Sequence, residues 1–201
     1  METEQTQENP KFARGFYHFL KEAWKKPDQA RIRELMVKWR SEPTILVIEK
    51  PTRLDKARGL GYKAKKGFVV TRIRVPRGGR KRHRTNKGRK TRRHTIKKVV
   101  KMNYKWIAEQ RVQRQFPNLE VLNSYNLAKD GKYYFFEVIL VDPSKPEIKN
   151  DKTMKWITNP SNRTRVFRGL TYSGKQSRGM LDNSPSNKNK PSVRAGLRRG
   201  K

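Results

Sequence analysis

Residues 72–105 carry sixteen lysines and arginines and not a single acid. No compact fold can bury such a run, because removing an unpaired cation from water costs far more than packing returns. Its middle, the loop over 76–102, is expected to project from whatever core the chain builds. A second stretch, 163–201, holds eleven basic residues against Asp182 alone. Together they account for most of a net charge of +34, the difference between 51 basic and 17 acidic residues in 201. Self-repulsion on that scale calls for a polyanionic partner.

The rest of the chain has a different balance. Nine of the seventeen acids lie in the first 55 residues, and 109–151 is nearly neutral and contains the most apolar segment. The order is therefore a mixed N-terminal part, a basic block, a core-forming part and a basic tail. With no cysteine there is no disulfide, thiolate nucleophile or Cys-ligated metal, and His18, His83 and His94 are too scattered for a metal site. The longest apolar stretch, Tyr133–Val141, is nine residues interrupted by Glu137, short of the roughly 18–20 that span a bilayer. The first ten residues contain Glu2, Glu4 and Glu8 and no apolar run, so they read as neither signal nor transit peptide. The expected location is cytoplasmic.

Periodicity places the elements. Ile32, Leu35, Met36 and Trp39 recur at helical spacing behind Asp28, an N-cap residue, predicting a helix over 28–40. A helix over 12–26 stops before Pro27. Residues 44–49 read as a short buried strand between prolines, 55–60 as a helical turn ended by Gly61, and 68–75 as an alternating strand. In that strand Val69, Thr71, Ile73 and Val75 share one face. Arg72 and Arg74 share the other, its far end directed at something anionic. A helix over 103–116 presents Tyr104, Ile107, Ala108, Val112 and Phe116, and 119–127 and 132–141 flank the turn signal Asp130-Gly131. The fold class predicted is α+β, a small four-stranded, mostly antiparallel sheet packed with helices. A long basic loop over 76–102 and an extended basic C-terminal tail complete it. The divisions expected are an acidic extension over 1–10, a domain over 11–142 and a tail over 143–201 with only short turns.

Several motifs carry chemistry. Arg77-Gly-Gly-Arg-Lys-Arg-His-Arg84 sets forked guanidinium donors beside glycines that admit a phosphate backbone. Tyr62, His83, Tyr104, Trp106, Trp156, Phe167 and Tyr172 interleave with the cations, as in surfaces that stack unpaired bases. Tyr104 is expected to pack in the core, whereas Trp156 and Tyr172 in the polar tail are candidates for base or sugar contact. Gly169-Leu-Thr-Tyr-Ser-Gly-Lys-Gln176 imitates a P-loop, but Gln176 replaces the magnesium-binding hydroxyl. Its glycines are expected instead to let RNA approach the backbone. Asp55 and Asp142 read as a helix-start and a turn residue, and no nucleophile or carboxylate pair stands out.

Pro51-Thr-Arg-Leu-Asp-Lys-Ala-Arg-Gly-Leu-Gly-Tyr-Lys-Ala-Lys-Lys-Gly67, running into Arg72-Ile-Arg-Val-Pro-Arg-Gly-Gly-Arg80, closely resembles the signature of large-subunit ribosomal protein 15 of the archaeal and eukaryotic type. The likeness continues through Val121-Leu-Asn-Ser-Tyr125, Tyr134-Phe-Phe-Glu-Val-Ile-Leu-Val-Asp-Pro143, Trp156-Ile-Thr-Asn-Pro160, Arg168-Gly-Leu-Thr171 and Ser177-Arg-Gly179, and its N-terminal half has the archaeal form. The resemblance implies a non-enzymatic structural constituent of the large subunit. Its partners would be large-subunit rRNA and neighbouring ribosomal proteins, with no membrane, no small-molecule substrate and no cofactor beyond magnesium associated with the rRNA. The expected RNA contacts are Arg53, Lys56, Arg58, Lys63, Lys65 and Lys66 in the signature and Arg72 and Arg74 in the strand. The loop adds Arg77, Arg80, Lys81, Arg82, Arg84, Arg89, Arg92 and Arg93, and the tail Trp156, Arg163, Arg168, Tyr172, Lys175 and Arg178. Loop and tail are expected to order on binding. The rival reading is a free, nucleoid-type architectural DNA-binding protein.

Overall fold

The computed structural model describes residues 15–81, 87–88, 97–98 and 102–181. Two helices open it, α1 (Phe16–Lys25) and α2 (Gln29–Ser41). Pro27 ends the first, and the Asp28 carboxylate caps the second by accepting from the Ala30 N–H at 2.9 Å. Strand β1 (Ile45–Ile48), helix α3 (Leu54–Gly59) and strand β2 (Phe68–Pro76) follow. Next come two-residue strands β3 (Arg80–Lys81) and β4 (Lys97–Lys98), then α4 (Tyr104–Gln115) and the hairpin β5 (Glu120–Lys129) and β6 (Tyr133–Val141). Asn103 caps α4 through the Trp106 N–H at 2.7 Å.

The main sheet runs β1-β2-β6-β5 with every pairing antiparallel. β3 and β4 pair separately, so the stem of the basic loop is a small hairpin that alternation in the sequence did not reveal. The predicted buried strand over 44–49 is instead an edge, with Val47 52% exposed. None of its four residues is fully buried. β6, interior to the sheet like β2, is buried on both faces, which explains its nearly unbroken hydrophobicity. The hairpin turn is organised by Asp130, whose Oδ1 accepts from the Lys132 and Tyr133 N–H groups at 2.8 and 2.5 Å. Gly131 does not adopt a left-handed conformation there.

Each sheet face builds its own core. One gathers Trp39, Ala57, Leu122, Tyr125, Phe135, Ile139, Val141, Ile148, Met154 and Ile157; the other gathers Ile73, Val75, Ala108, Val112, Val121, Phe136, Val138, Leu140 and Val166. Residues from beyond Pro143 appear in both. The expectation of an extended tail is thus corrected for 143–181, which forms α5 (Pro146–Lys149), 3-10 turns at Lys155–Thr158 and Pro160–Asn162, and α6 (Tyr172–Ser177). The segment has no apolar period because it touches the core at isolated points, Ile148, Met154, Ile157 and Val166, each 7% exposed or less. The extension 1–10, the start of the first predicted helix, most of the loop and 182–201 lie outside the described residues.

Candidate nucleic-acid interface

Two buried carboxyls tie distant segments to the sheet. Glu137 in β6 accepts from the Tyr125 hydroxyl and, at 3.2 Å, from the Thr52 N–H, which fixes the start of the 51–67 signature. Glu109 in α4 accepts from Ser124 Oγ at 2.5 Å and Thr171 Oγ1 at 2.6 Å, which fixes the start of α6. Burial pushes both carboxyls above their usual value, against the hydroxyl and N–H donors that favour the anion. Hydrophobic periodicity gave no sign of Glu109, which interrupts an apolar stripe.

Many of the predicted RNA contacts are engaged inside the protein. Arg72 Nη2 meets Glu42 at 2.5 Å with its guanidinium 5.2 Å over the Trp39 ring, so the anion that it faces belongs to its own chain. Arg74 donates to the carbonyls of Arg40 and Glu42 that end α2. Arg53 pairs with buried Asp55 at 2.9 Å and covers Trp24. Lys63 and Lys65 converge on Asp151 at 2.7 and 2.5 Å, and their hydrogen bonds hold that carboxyl below its usual range. In the C-terminal segment Arg168 donates to the carbonyls of Ser161 and Arg163, and Arg178 to those of Arg168 and Gly169. Arg165, not anticipated, reaches the Val121, Leu122 and Leu170 carbonyls and stacks on Trp156 at 4.9 Å.

The glycines of the P-loop imitation face the protein and not a phosphate. A Cβ on Gly174 would lie 2.7 Å from Gly169 Cα, and one on Gly169, at φ +67°, would lie 2.7 Å from Arg178 Cδ and 3.1 Å from Trp106 Cζ2. The expectation that they admit RNA is corrected: both are buried and admit each other.

Other cations stay exposed. Lys56, Arg58, Lys66, Arg77 and Arg163 are exposed, as are the rings of Trp156 and Tyr172, although Arg77 Nη1 donates to the Asp130 carbonyl at 2.6 Å and Arg58 lies over the Tyr17 ring; Lys175 is half-buried. Lys21 and Lys25, absent from the predicted set, join Arg53 and Lys56 around a cleft of about 470 Å³ between α1 and α3. Arg77 crosses the Tyr134 ring at 5.2 Å, and Tyr104 stacks on Tyr134 at 4.7 Å. Tyr104 is therefore only partly a core residue; its hydroxyl accepts from the Gly78 N–H at 2.9 Å at the loop's entrance. Arg80 and Lys81 are described in backbone only, and Arg82, Arg84, Arg89, Arg92 and Arg93 lie outside the described residues.

The loop's exit and the tail's root meet at one corner. The Asn103 N–H donates to Ser177 Oγ at 2.9 Å, and its side-chain amide to the Ser173 carbonyl at 2.9 Å. Asn103, just after the loop, and Ser177, shortly before the tail, are thus neighbours although far apart in sequence. Among the described residues no cluster of three or more acidic or His side chains could hold a metal, and no helix is long and apolar enough to cross a membrane. Compared with known families, residues 15–196 match the L15e family model, described as Ribosomal L15.

Proposed function

From the premise that the chain belongs to the ribosomal L15e family, a family of structural, non-enzymatic proteins of the large ribosomal subunit, we propose that it clamps large-subunit rRNA between two basic prongs. The observation that carries this reading is the bond from Asn103 to Ser177, which roots loop and tail at the same corner. Two cationic arms with a common origin reach neighbouring phosphates, and the second engages at the high effective concentration set by the first. Each phosphate neutralised releases condensed counterions, the main source of affinity for a chain of this charge.

We assign the contacts to the exposed Lys56, Arg58, Lys66, Arg77 and Arg163, to half-buried Lys175, and to the loop's Arg80, Lys81, Arg82, Arg84, Arg89, Arg92 and Arg93. Lys21 and Lys25 extend them around the α1–α3 cleft. Trp156 and Tyr172 offer exposed rings for bases. Arg53, Lys63, Lys65, Arg72, Arg74, Arg168 and Arg178 already have partners within the chain, and we assign them to shaping the surface. Neighbouring ribosomal proteins complete the set of partners, and any magnesium arrives with the rRNA.

Gradient sedimentation of cell extract tests this. The chain should travel with large subunits and be stripped from them by high salt. Co-migration with nucleoid DNA and absence from subunits, the outcome that a DNA-architectural protein requires, would overturn it.

A further inference from the structure

Beside Asn103 and Ser177 the described residues leave an open cleft at the β5–β6 end of the sheet. α4 begins at Tyr104 and packs with Ile73, Val121, Val138 and Leu140; Phe136 is buried with them at 3% exposure, while Asn126, opposite it in β5, is exposed. A β-bulge next to Asn126 sets its register there. The cleft, of about 470 Å³, is lined by Met102, Tyr104, Lys105, Asn126, Tyr134 and Phe136, and closed on the α6 side by Gln176 and Ser177.

We infer that this cleft receives a single unpaired RNA base, extruded from the strand that the two basic prongs hold. This rests on the RNA-clamping reading and names a ligand for a place which that reading leaves empty. Three observations support it. The wall is an aromatic array, Tyr104 on Tyr134 at 4.7 Å and 29°, and Tyr134 against buried Phe136 at 6.0 Å and 20°, and the half-buried Tyr104 and Tyr134 give it an accessible edge for a flat ring. Asn126 and Gln176 are exposed carboxamides that line the cleft and make no side-chain hydrogen bond among the described residues. A carboxamide supplies one donor and one acceptor, the complement of a base edge and of adenine's N6 and N7 in particular. Finally, the cleft is continuous with the cationic arms: Tyr104 holds Gly78 at the loop's entrance, and Lys105, 5.7 Å over the Tyr172 ring, stands beside it for a phosphate. An apolar protein side chain would leave both amides unused; a base uses ring faces, amides and cation together.

The test uses the full chain and in vitro transcribed large-subunit rRNA. Asn126→Ala combined with Gln176→Ala touches no buried group, so folding is preserved and can be checked by circular dichroism. Affinity should fall on the order of 10-fold, as expected for two hydrogen bonds removed, while the slope of log K against log salt stays unchanged because every phosphate remains engaged. Irradiation at short ultraviolet wavelength should attach a nucleotide to tryptic peptides 102–105 or 133–149. Unaltered affinity together with no nucleotide on either peptide overturns the base site. If Arg77→Ala still lowers the salt slope in that case, the clamping reading survives; if it does not, both fall.

Discussion

Glu109 and Glu137 hold protons more tightly in the native state than in the unfolded chain, because burial disfavours their anions. Below about pH 4.5, their ordinary value, both states are protonated and neither group favours unfolding. As pH rises from there to each raised native value, the unfolded chain releases its protons first and stability falls, by about 1.4 kcal/mol for every unit of elevation. Guanidinium melts between pH 4 and 8 should show that fall, and Glu109→Gln should remove part of it; a variant with the parent's slope would exclude Glu109 as a source. Asp151 acts in the opposite direction, since Lys63 and Lys65 depress its value. Its stabilisation is present above about 3.8, its ordinary value, and is lost as the pH falls through its depressed native value, a separate acid window. Gly174→Ala should cost about 1–3 kcal/mol by overpacking against Gly169, read as a lower melting temperature. Such single-residue roles were the least legible in the sequence. A buried glutamate on a helix stripe and an arginine aimed at a carbonyl look identical, in one dimension, to surface charges.

Helices and strands were far more legible, because spacing and caps are local. Asp28, Pro27 and Asn103 delimit helices where the sequence places them, and the core stripe on α4 falls as its 3.6-residue period requires. Strand β5 departs from simple alternation, since bulges between Val121 and Asn123 and between Asn126 and Ala128 shift its faces relative to β6. The C-terminal turns escaped notice for a related reason: four isolated anchors make no period. Among the described α-helices only α1 has no buried residue. It meets α3 through Arg58 over Tyr17 at 5.2 Å and Arg53 over Trp24 at 4.8 Å, contacts worth about 0.5–1 kcal/mol each at exposed sites. Arg58→Ala should therefore speed amide exchange in α1 by a few-fold and leave α4 protected. Equal loss of protection in both helices would show that α1 belongs to the cooperative core.

For the whole molecule, charge distribution located the basic loop and tail, most of which lie outside the described residues. It did not show that the tail's first part folds onto the body, with Val166 buried and Arg165, Arg168 and Arg178 bonded to backbone carbonyls. If ten phosphates are engaged, log K should fall with log salt at a slope of about −9 on duplex-like polyanion and about −7 on single strands. Neutralising Arg77, Arg80 and Arg82 together should flatten the slope by about one unit for each phosphate released, and an unchanged slope would show that the loop does not touch phosphate. Truncation after Asp142 should leave a chain unable to fold cooperatively, because Ile148, Ile157 and Val166 complete both cores; a sharp thermal transition in that fragment would contradict this. The bond between Asn103 and Ser177 also has a meaning in time. A chain made from its N-terminus at about 5–20 residues per second completes its basic loop several seconds before Ser177 exists. Until then the loop's exit has no latch, so the paired geometry is among the last features that synthesis can deliver, and RNA met earlier would be met by one prong alone.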